Sequence, residues 1–398
     1  MLDIIIGALA GLIIGIITGI TPGLHVNSVN SFLLIGLVSV LANFPIGSIV
    51  FVVILTITHS IVDIVPSIFL GAPNEESFLT VLPGHEMLVQ GKGFEAVVLS
   101  LLGVISAIPL LVVIIPLFIK FIPIVFERIV PYIAFILIFI CVYTFSRESN
   151  ILAGFVIFSL SAMLGYVSLN LPIKDSLLAL LSGLFGGSGL FLSSFNKIKI
   201  PPQKIEPLRN FKVTKKEYFS AFFGAGLSAP FFSFLPAIGS GHAATISTEI
   251  IPQTRKSFLI TISAINTIVN VLSFVTLYSI GKSRTGSAHT ISEILGKISG
   301  THLTIILVAA FITIFLASIA ALITARIFAT KIMKIPYRAL SAGILIFLAL
   351  FILIFAGFIG LIVFVTGSAI GIFAIQSNVR RINMMACLLV PTILFYMF

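Results

Sequence analysis

Apolar runs about as long as a membrane is thick recur from one end of this chain to the other: residues 4–20, 47–70, 96–119, 129–145, 302–325 and 339–365. A helix of about 20 such residues crosses a hydrocarbon layer of about 30 Å. A chain that repeats the pattern this often folds as an all-α, polytopic membrane protein. Composition agrees: 59% of the 398 residues are hydrophobic and 9% are charged, where a soluble domain carries about a quarter charged. Mean hydropathy is +1.23. A membrane β-barrel would need short alternating segments, which do not occur. The first run, MLDIIIGALAGLIIGIITG, has no basic region ahead of it and carries Asp3, so it reads as a span and not as a cleaved signal.

The net charge of +10 does not point to nucleic acid, because the basic residues sit in short links between spans, where they set topology. The longest link, residues 195–216, holds seven Lys/Arg and one acidic residue. It divides the chain into a first membrane unit, 1–194, and a second, 217–398, and is expected in the cytoplasm. Arg255-Lys256, Arg326 through Arg338 and Arg380-Arg381 are expected on the same side. Each half divides into seven segments: 3–20, 24–43, 47–70, 94–119, 122–145, 150–170 and 174–194, then 217–235, 238–254, 257–280, 300–325, 339–357, 360–378 and 382–398. Some are short or polar enough to stop short of a full crossing. Cys141 and Cys387 lie in apolar segments without a partner, so neither a disulfide framework nor a metal site is expected.

The halves rhyme. Glycines at 7, 11, 15, 19 and 23 form a four-residue ladder that ends in Pro22-Gly23, followed by His25 and Asn27. In the second half FFGAGLSAPFFSFLPAIGSGH runs from small residues through Pro236 to Gly239, Ser240 and His242. Further on, LGAPNEESFLTVLPGHE (70–86) matches IGKSRTGSAHTISEIL (280–295) in order and spacing. That order predicts a duplicated unit, and an odd number of spans per unit inserts the copies in opposite orientation. Inverted repeats with broken helices near the midplane are a transporter architecture. The ladder allows close helix packing. The break after it frees backbone groups, which persist at membrane depth only when buried or lining a wet cavity.

The two polar stretches read as re-entrant hairpins or helix breaks. Gly71, Pro73, Glu75 and Ser77 belong to the first; Lys282, Arg284, Thr285 and Ser287 belong to the second. A turn that leads into a helix start presents free N–H groups to an anion, and Lys282 and Arg284 add charge. Asp63 follows His59 by four residues inside a span, on one helical face; an intramembrane carboxylate marks an ion path. Asn266 and Asn270 stand at the corresponding place in the second half. These four are the expected coupling-ion contacts, with Na+ or H+ as the ion and no resident cofactor.

Enzyme motifs are incomplete. His85-Glu86 opens like HExxH but position 89 is Val, and Gly281-Lys282-Ser283 closes like a phosphate loop but position 276 is Thr. No enzymatic activity is expected.

GxxxGxxPG near the start, LGAPNEESFLTVLPGHEMLVQGKGFEAV, GLFGGSGLFLSS (183–194) and the second-half LPAIGSG occur in an order that resembles the large membrane subunit of tripartite tricarboxylate transporters. The first hairpin matches that family at Gly71, Pro73, Glu75, Ser77, Leu82, Gly84, Gly91, Gly93 and Ala96, and departs from it at Asn74. The resemblance implies a secondary transporter of carboxylate anions in the cell membrane, driven by an ion gradient. It also implies work with a small membrane subunit and an extracytoplasmic binding protein. A polyprenyl-phosphate translocase, with lipid phosphate as its cargo, and a non-transporting scaffold or receptor subunit are the alternatives. Membrane lipids surround the chain in every case, and a homodimer is an assembly option.

Overall fold

The computed structural model describes the chain apart from residues 23, 25, 27, 28, 31–42, 72–77, 196–200 and 332–334; the side chains of 78–82 and 337 are also outside the description. Among the described residues there is no strand, and eight helices are long and apolar enough to cross a membrane. The fold is an all-α, polytopic membrane protein.

The first half opens with α1 (Leu2–Gly19). The ladder glycines 7, 11, 15 and 19 are its buried residues, and they face α2 (Pro45–Val62). A Cβ on Gly11 would lie 2.7 Å from the carbonyl oxygen of Phe51, and one on Gly19 would lie 2.9 Å from that of His59. The ladder is therefore a packing seam between two parallel helices, with backbone against backbone. After a turn at Asp63 the run continues as α3 (Ile64–Leu70). Pro66 has no N–H to offer the carbonyl of Val62, which is why the helix is interrupted there. Gly71 then caps α3 in the left-handed conformation, φ 62°, a conformation that glycine adopts without strain.

Next come α4 (Phe78–Val89) and α5 (Gly93–Ile129). Separate spans over 94–119 and 122–145 are not what forms. α5 runs unbroken to Ile129 through Pro109, Pro116 and Pro123, and the break falls at the 3₁₀ turn Val130–Tyr132, with Pro131 in its first positions. Proline inside a helix removes one hydrogen bond but leaves the backbone angles helical, so neighbours in the bundle can tolerate it. α6 (Ile133–Ser146), α7 (Ile151–Asn170) and α8 (Ser176–Leu181) follow. The π turn Ser182–Gly187 links α8 to α9 (Ser188–Phe195).

The second half holds α10 (Lys215–Phe232), α11 (Ser240–Ile250), α12 (Arg255–Ile280), α13 (Gly286–Leu295), α14 (Gly300–Thr330) and α15 (Tyr337–Gln376). A 3₁₀ turn at Arg381–Met385 and α16 (Ala386–Met397) complete it. Forty helical residues would extend about 60 Å, twice the hydrocarbon thickness. α15 resolves this at Gly357, whose φ of 73° and ψ of −172° split it into two legs, as the expected spans 339–357 and 360–378 required.

The runs Pro45–Leu70 and Arg255–Ile280 are both 26 residues long and offset by 210. Gly281 caps α12 with φ 66°, as Gly71 caps α3. The equivalent runs point in opposite directions. The end of α3 lies by the start of α5, since a Cβ on Gly93 would be 3.4 Å from Phe69. The start of α12 lies at that same place, with Lys256 Nζ 2.8 Å from Glu95. Packing partners are exchanged between the halves: α5 packs on α12, and its counterpart α14 packs on α2. The two 26-residue runs thus lie in opposite directions, as the expected duplicated and inverted unit requires.

Candidate functional site

The polar stretch 281–287 resolves into a helix break. Past the left-handed Gly281, Thr285 caps α13: its hydroxyl accepts from the Ala288 N–H at 3.2 Å and donates to Ser273 Oγ at 3.2 Å. Arg284 is half-buried and donates through Nη2 to the carbonyl oxygen of Ile238. That carbonyl belongs to the non-helical link between α10 and α11, where Ala237 has φ 58°. A break at membrane depth needs such a partner, so one hairpin of the second half holds the other interrupted segment of the same half. Lys282 is exposed, at the edge of the group.

Ser287, fully buried, joins the halves. Its hydroxyl lies 2.8 Å from Asn30 Nδ2 and 2.7 Å from Thr56 Oγ1. Thr56 also lies 2.7 Å from the carbonyl of Val52. The Thr56 hydroxyl is thus shared between that carbonyl and Ser287 Oγ, and Ser287 accepts from both Asn30 and Thr56. Asn30 Oδ1 is enclosed and has no hydrogen-bond partner among the described residues. Thr56 is near the middle of its 26-residue run, so this junction is at mid-depth.

A second junction lies between α2 and α12. Asn270 Nδ2 donates to Ser60 Oγ at 3.1 Å. Beside it is a small cavity with polar lining from Ser60, Ser263, Asn266, Thr267 and Asn270, with room for about one water. Asn266 Oδ1 has no hydrogen-bond partner among the described residues.

Of the expected coupling-ion contacts, Asn266 and Asn270 share this cavity. His59, on the same helix as Ser60, has Nδ1 3.0 Å from Thr18 Oγ1 on α1. The Thr18 proton goes to the carbonyl of Ile14 at 2.8 Å, so His59 donates from Nδ1. Asp63 is buried at the α2–α3 turn and accepts from Ser67 Oγ at 3.2 Å. No group of three or more His, Cys, Asp or Glu side chains that could hold a metal occurs among the described residues; Cys141 and Cys387 are not joined in a disulfide.

Pro22 and Gly71 are buried, as are Ser240 and His242 on the first turn of α11, while Pro236 and Gly239 are half-buried. Gly23, His25, Asn27, Pro73, Glu75 and Ser77 lie outside the described residues. Thr56, Ser60, Ser263 and Thr267 are functional candidates that the residue patterns did not single out. The available signal was spacing: Thr56 with Ser60, and Ser263 with Thr267, are four apart and interrupt otherwise apolar runs.

Eight apolar helices among the described residues, with the two halves joined at mid-depth through Ser287, define a multi-pass membrane protein. The family model described as the Tripartite tricarboxylate transporter TctA family matches residues 5–386, and the chain belongs to that family. An uncharacterized protein of Methanocaldococcus jannaschii is 30% identical over 412 residues, covering 100% of this chain and 98% of its own length. No solved structure matches the chain. Family membership makes the protein a transporter of the tricarboxylate type, from a family that supplies the large membrane component of tripartite systems.

Proposed function

We infer that this protein is an ion-gradient-driven secondary transporter that moves a carboxylate-type organic anion across the cell membrane by alternating access. Residues 1–194 and 217–398 are its two moving halves, and 195–216 is a cytoplasmic linker. The observation that carries this reading is the Ser287 junction, where Asn30 and Thr56 of one half meet the hairpin of the other at mid-depth. Such a contact can be made and broken as the halves rock, and breaking it presents three hydrogen-bonding side chains beside the N-terminus of α13, the end of a helix that favours an anion.

Asp63 at the helix break, with His59, Asn266 and Asn270 around the crossing of α2 and α12, carries the coupling ion, Na+ or H+. A small membrane subunit and an extracytoplasmic binding protein deliver the solute, as in the family at large. The test is uptake of labelled citrate and related di- and tricarboxylates into proteoliposomes under an imposed Na+ or H+ gradient, with the accessory subunits added or withheld. Gradient-dependent accumulation is expected, and Asp63→Asn is expected to abolish the gradient dependence. Unchanged accumulation by Asp63→Asn would remove the coupling role, and failure to accumulate any carboxylate would remove the substrate class.

A further inference from the structure

Two arginines stand side by side after α15, and they have different surroundings. Arg380 is neutralised: its Nε is 3.8 Å from Oε1 of Glu148, and its backbone N–H donates to the same carboxylate at 3.3 Å. Arg381 has no ion pair or hydrogen bond among the described residues, although it is half-buried and its Nη1 is enclosed. Two residues on, Asn383 is 2% exposed and neither atom of its side-chain amide has a hydrogen-bond partner among the described residues. One short 3₁₀ turn thus holds a cationic fork and an amide whose hydrogen-bonding capacity is unused inside the protein, where such groups are ordinarily satisfied.

The fork is aimed between two glycines. A Cβ on Gly189 would lie 3.5 Å from Arg381 Nη2, 4.0 Å from Nη1 and 2.9 Å from the carbonyl oxygen of Gly71. The absent side chain at 189 is what brings the guanidinium, the start of α9 and the end of α3 together. Gly71 is the left-handed residue that ends α3. A planar guanidinium with free N–H groups matches a carboxylate in two parallel hydrogen bonds. The Asn383 amide on the same turn has a donor and an acceptor to offer, which suits a hydroxyl or a second carboxyl.

We propose that Arg381 is an anion-binding residue of the transport path, taking one carboxylate of the organic anion beside Gly189 and the Gly71 end of α3, with Asn383 as its neutral companion. The assignment rests on the transport reading above, and it puts a substrate contact outside the residues of both hairpins.

The test is citrate binding to the purified full-length protein in nanodiscs by titration calorimetry, with tricarballylate, succinate and inorganic phosphate as further probes. Arg381→Gln is expected to weaken citrate binding at least thirtyfold and Arg381→Lys about tenfold, while Arg209→Gln, which removes an exposed linker charge, leaves it within twofold. Citrate affinity unchanged in Arg381→Gln, with the wild type binding citrate, overturns this assignment and leaves the transport reading intact. No binding of any carboxylate by the wild type overturns both. If Arg381→Gln is not monodisperse, Arg381→Lys decides, and wild-type affinity in that variant overturns the fork. The rival partner is a carboxylate of this chain, since Glu75 and Glu76 follow Gly71 closely in sequence. Recovery of wild-type stability and affinity in an Arg381→Gln, Glu75→Gln double variant would establish that rival and overturn the proposal.

Discussion

The two copies of the repeat share an outline and differ in how they are fastened. In the first, α1 lies on α2 through four glycines that meet backbone. In the second, α10 packs on both α11 and α12 and buries Ala221, Gly224, Ala225 and Ser228, and a Cβ on Gly224 would meet the ends of the Ser247 and Gln253 side chains. The ends of the molecule differ too. On the linker side Arg255 is 3.0 Å from Glu86 and Lys256 is 2.8 Å from Glu95, both pairs joining one half to the other. The positions equivalent to Arg255 and Lys256, 210 residues earlier, hold Pro45 and Ile46, which cannot form such pairs. Identical halves would make the two rocked states of a two-fold carrier equal in energy. Under the alternating-access reading proposed above, the unlike fastenings would bias the two states, and the two ion pairs tie the halves together at the linker end.

The sharpest way to break the comparison is to place the same methyl group in both seams. Gly7→Ala drives a Cβ into the carbonyl of Gly47, which can move only with the helix, so a loss of about 3 kcal/mol or more is expected. Gly224→Ala meets movable side chains and is expected to cost about 1 kcal/mol. Thermal unfolding of both variants in one detergent checks the ranking, and equal losses would dissolve the distinction.

Next in size is Ser287→Ala, which leaves Asn30 Nδ2 with only the Val26 carbonyl and removes the inter-half acceptor of the Thr56 hydroxyl. About 1–3 kcal/mol is at stake, and uptake is expected to fall about tenfold or more with little change in expression. Ser220→Ala, at an exposed hydroxyl bonded to the Pro252 carbonyl, should leave uptake unaltered.

Breaking the linker-side fastening is a smaller perturbation. Lys256→Gln is expected to cost about 0.2–1 kcal/mol, the range for a pair that is partly in water. It should raise the labelling of a cysteine placed at Ile260 by a membrane-impermeant thiol reagent from the linker side. Swapping the charges, Lys256→Glu with Glu95→Lys, should restore the protection.

Smallest is the cap at the start of α10. Glu217 accepts from the backbone and hydroxyl of Thr214, each at 2.9 Å, and from the Thr254 hydroxyl at 2.9 Å, so it ties the first turns of α10 and α12 together. The Thr214 backbone N–H chiefly holds its carboxyl below the usual glutamate value, against a desolvation that pushes the other way. The contribution is therefore present above the unfolded glutamate value and lost as pH falls through the depressed one. Glu217→Gln should cost about 0.5 kcal/mol at neutral pH. The difference in Tm from wild type should close as pH is lowered toward 3, and a gap that widens would contradict the cap.

Much of the fold was legible because its signals are local. The glycine ladder announces a seam by its period of four, and the break in α15 is marked by Gly357. The end of α5 was not legible: proline at 109, 116 and 123 punctuates the sequence without breaking the helix, because the bundle supplies what each ring removes. The site divides the same way. Arg284 and Ser287 stand out as polar groups after a long apolar run. Thr56 and Ser60 do not, because one hydroxyl in a span is ordinarily bonded to its own helix, and only the partner helix gives it a further role. Nor could Arg381 be told from Arg380, since both read as charges that set topology. What separates them is Glu148, more than two hundred positions away, which reaches one and not the other.

Ser60 and Asn270 occupy the same place in their respective copies, and they touch. In an assembly of two separate identical chains, every residue on the symmetry axis would have to face its own duplicate, serine against serine or amide against amide. Joining the copies in one polypeptide lifts that restriction. A single gene can then write a donor on one side of the axis and a shorter acceptor on the other, leaving beside them a polar hollow that belongs to neither copy alone.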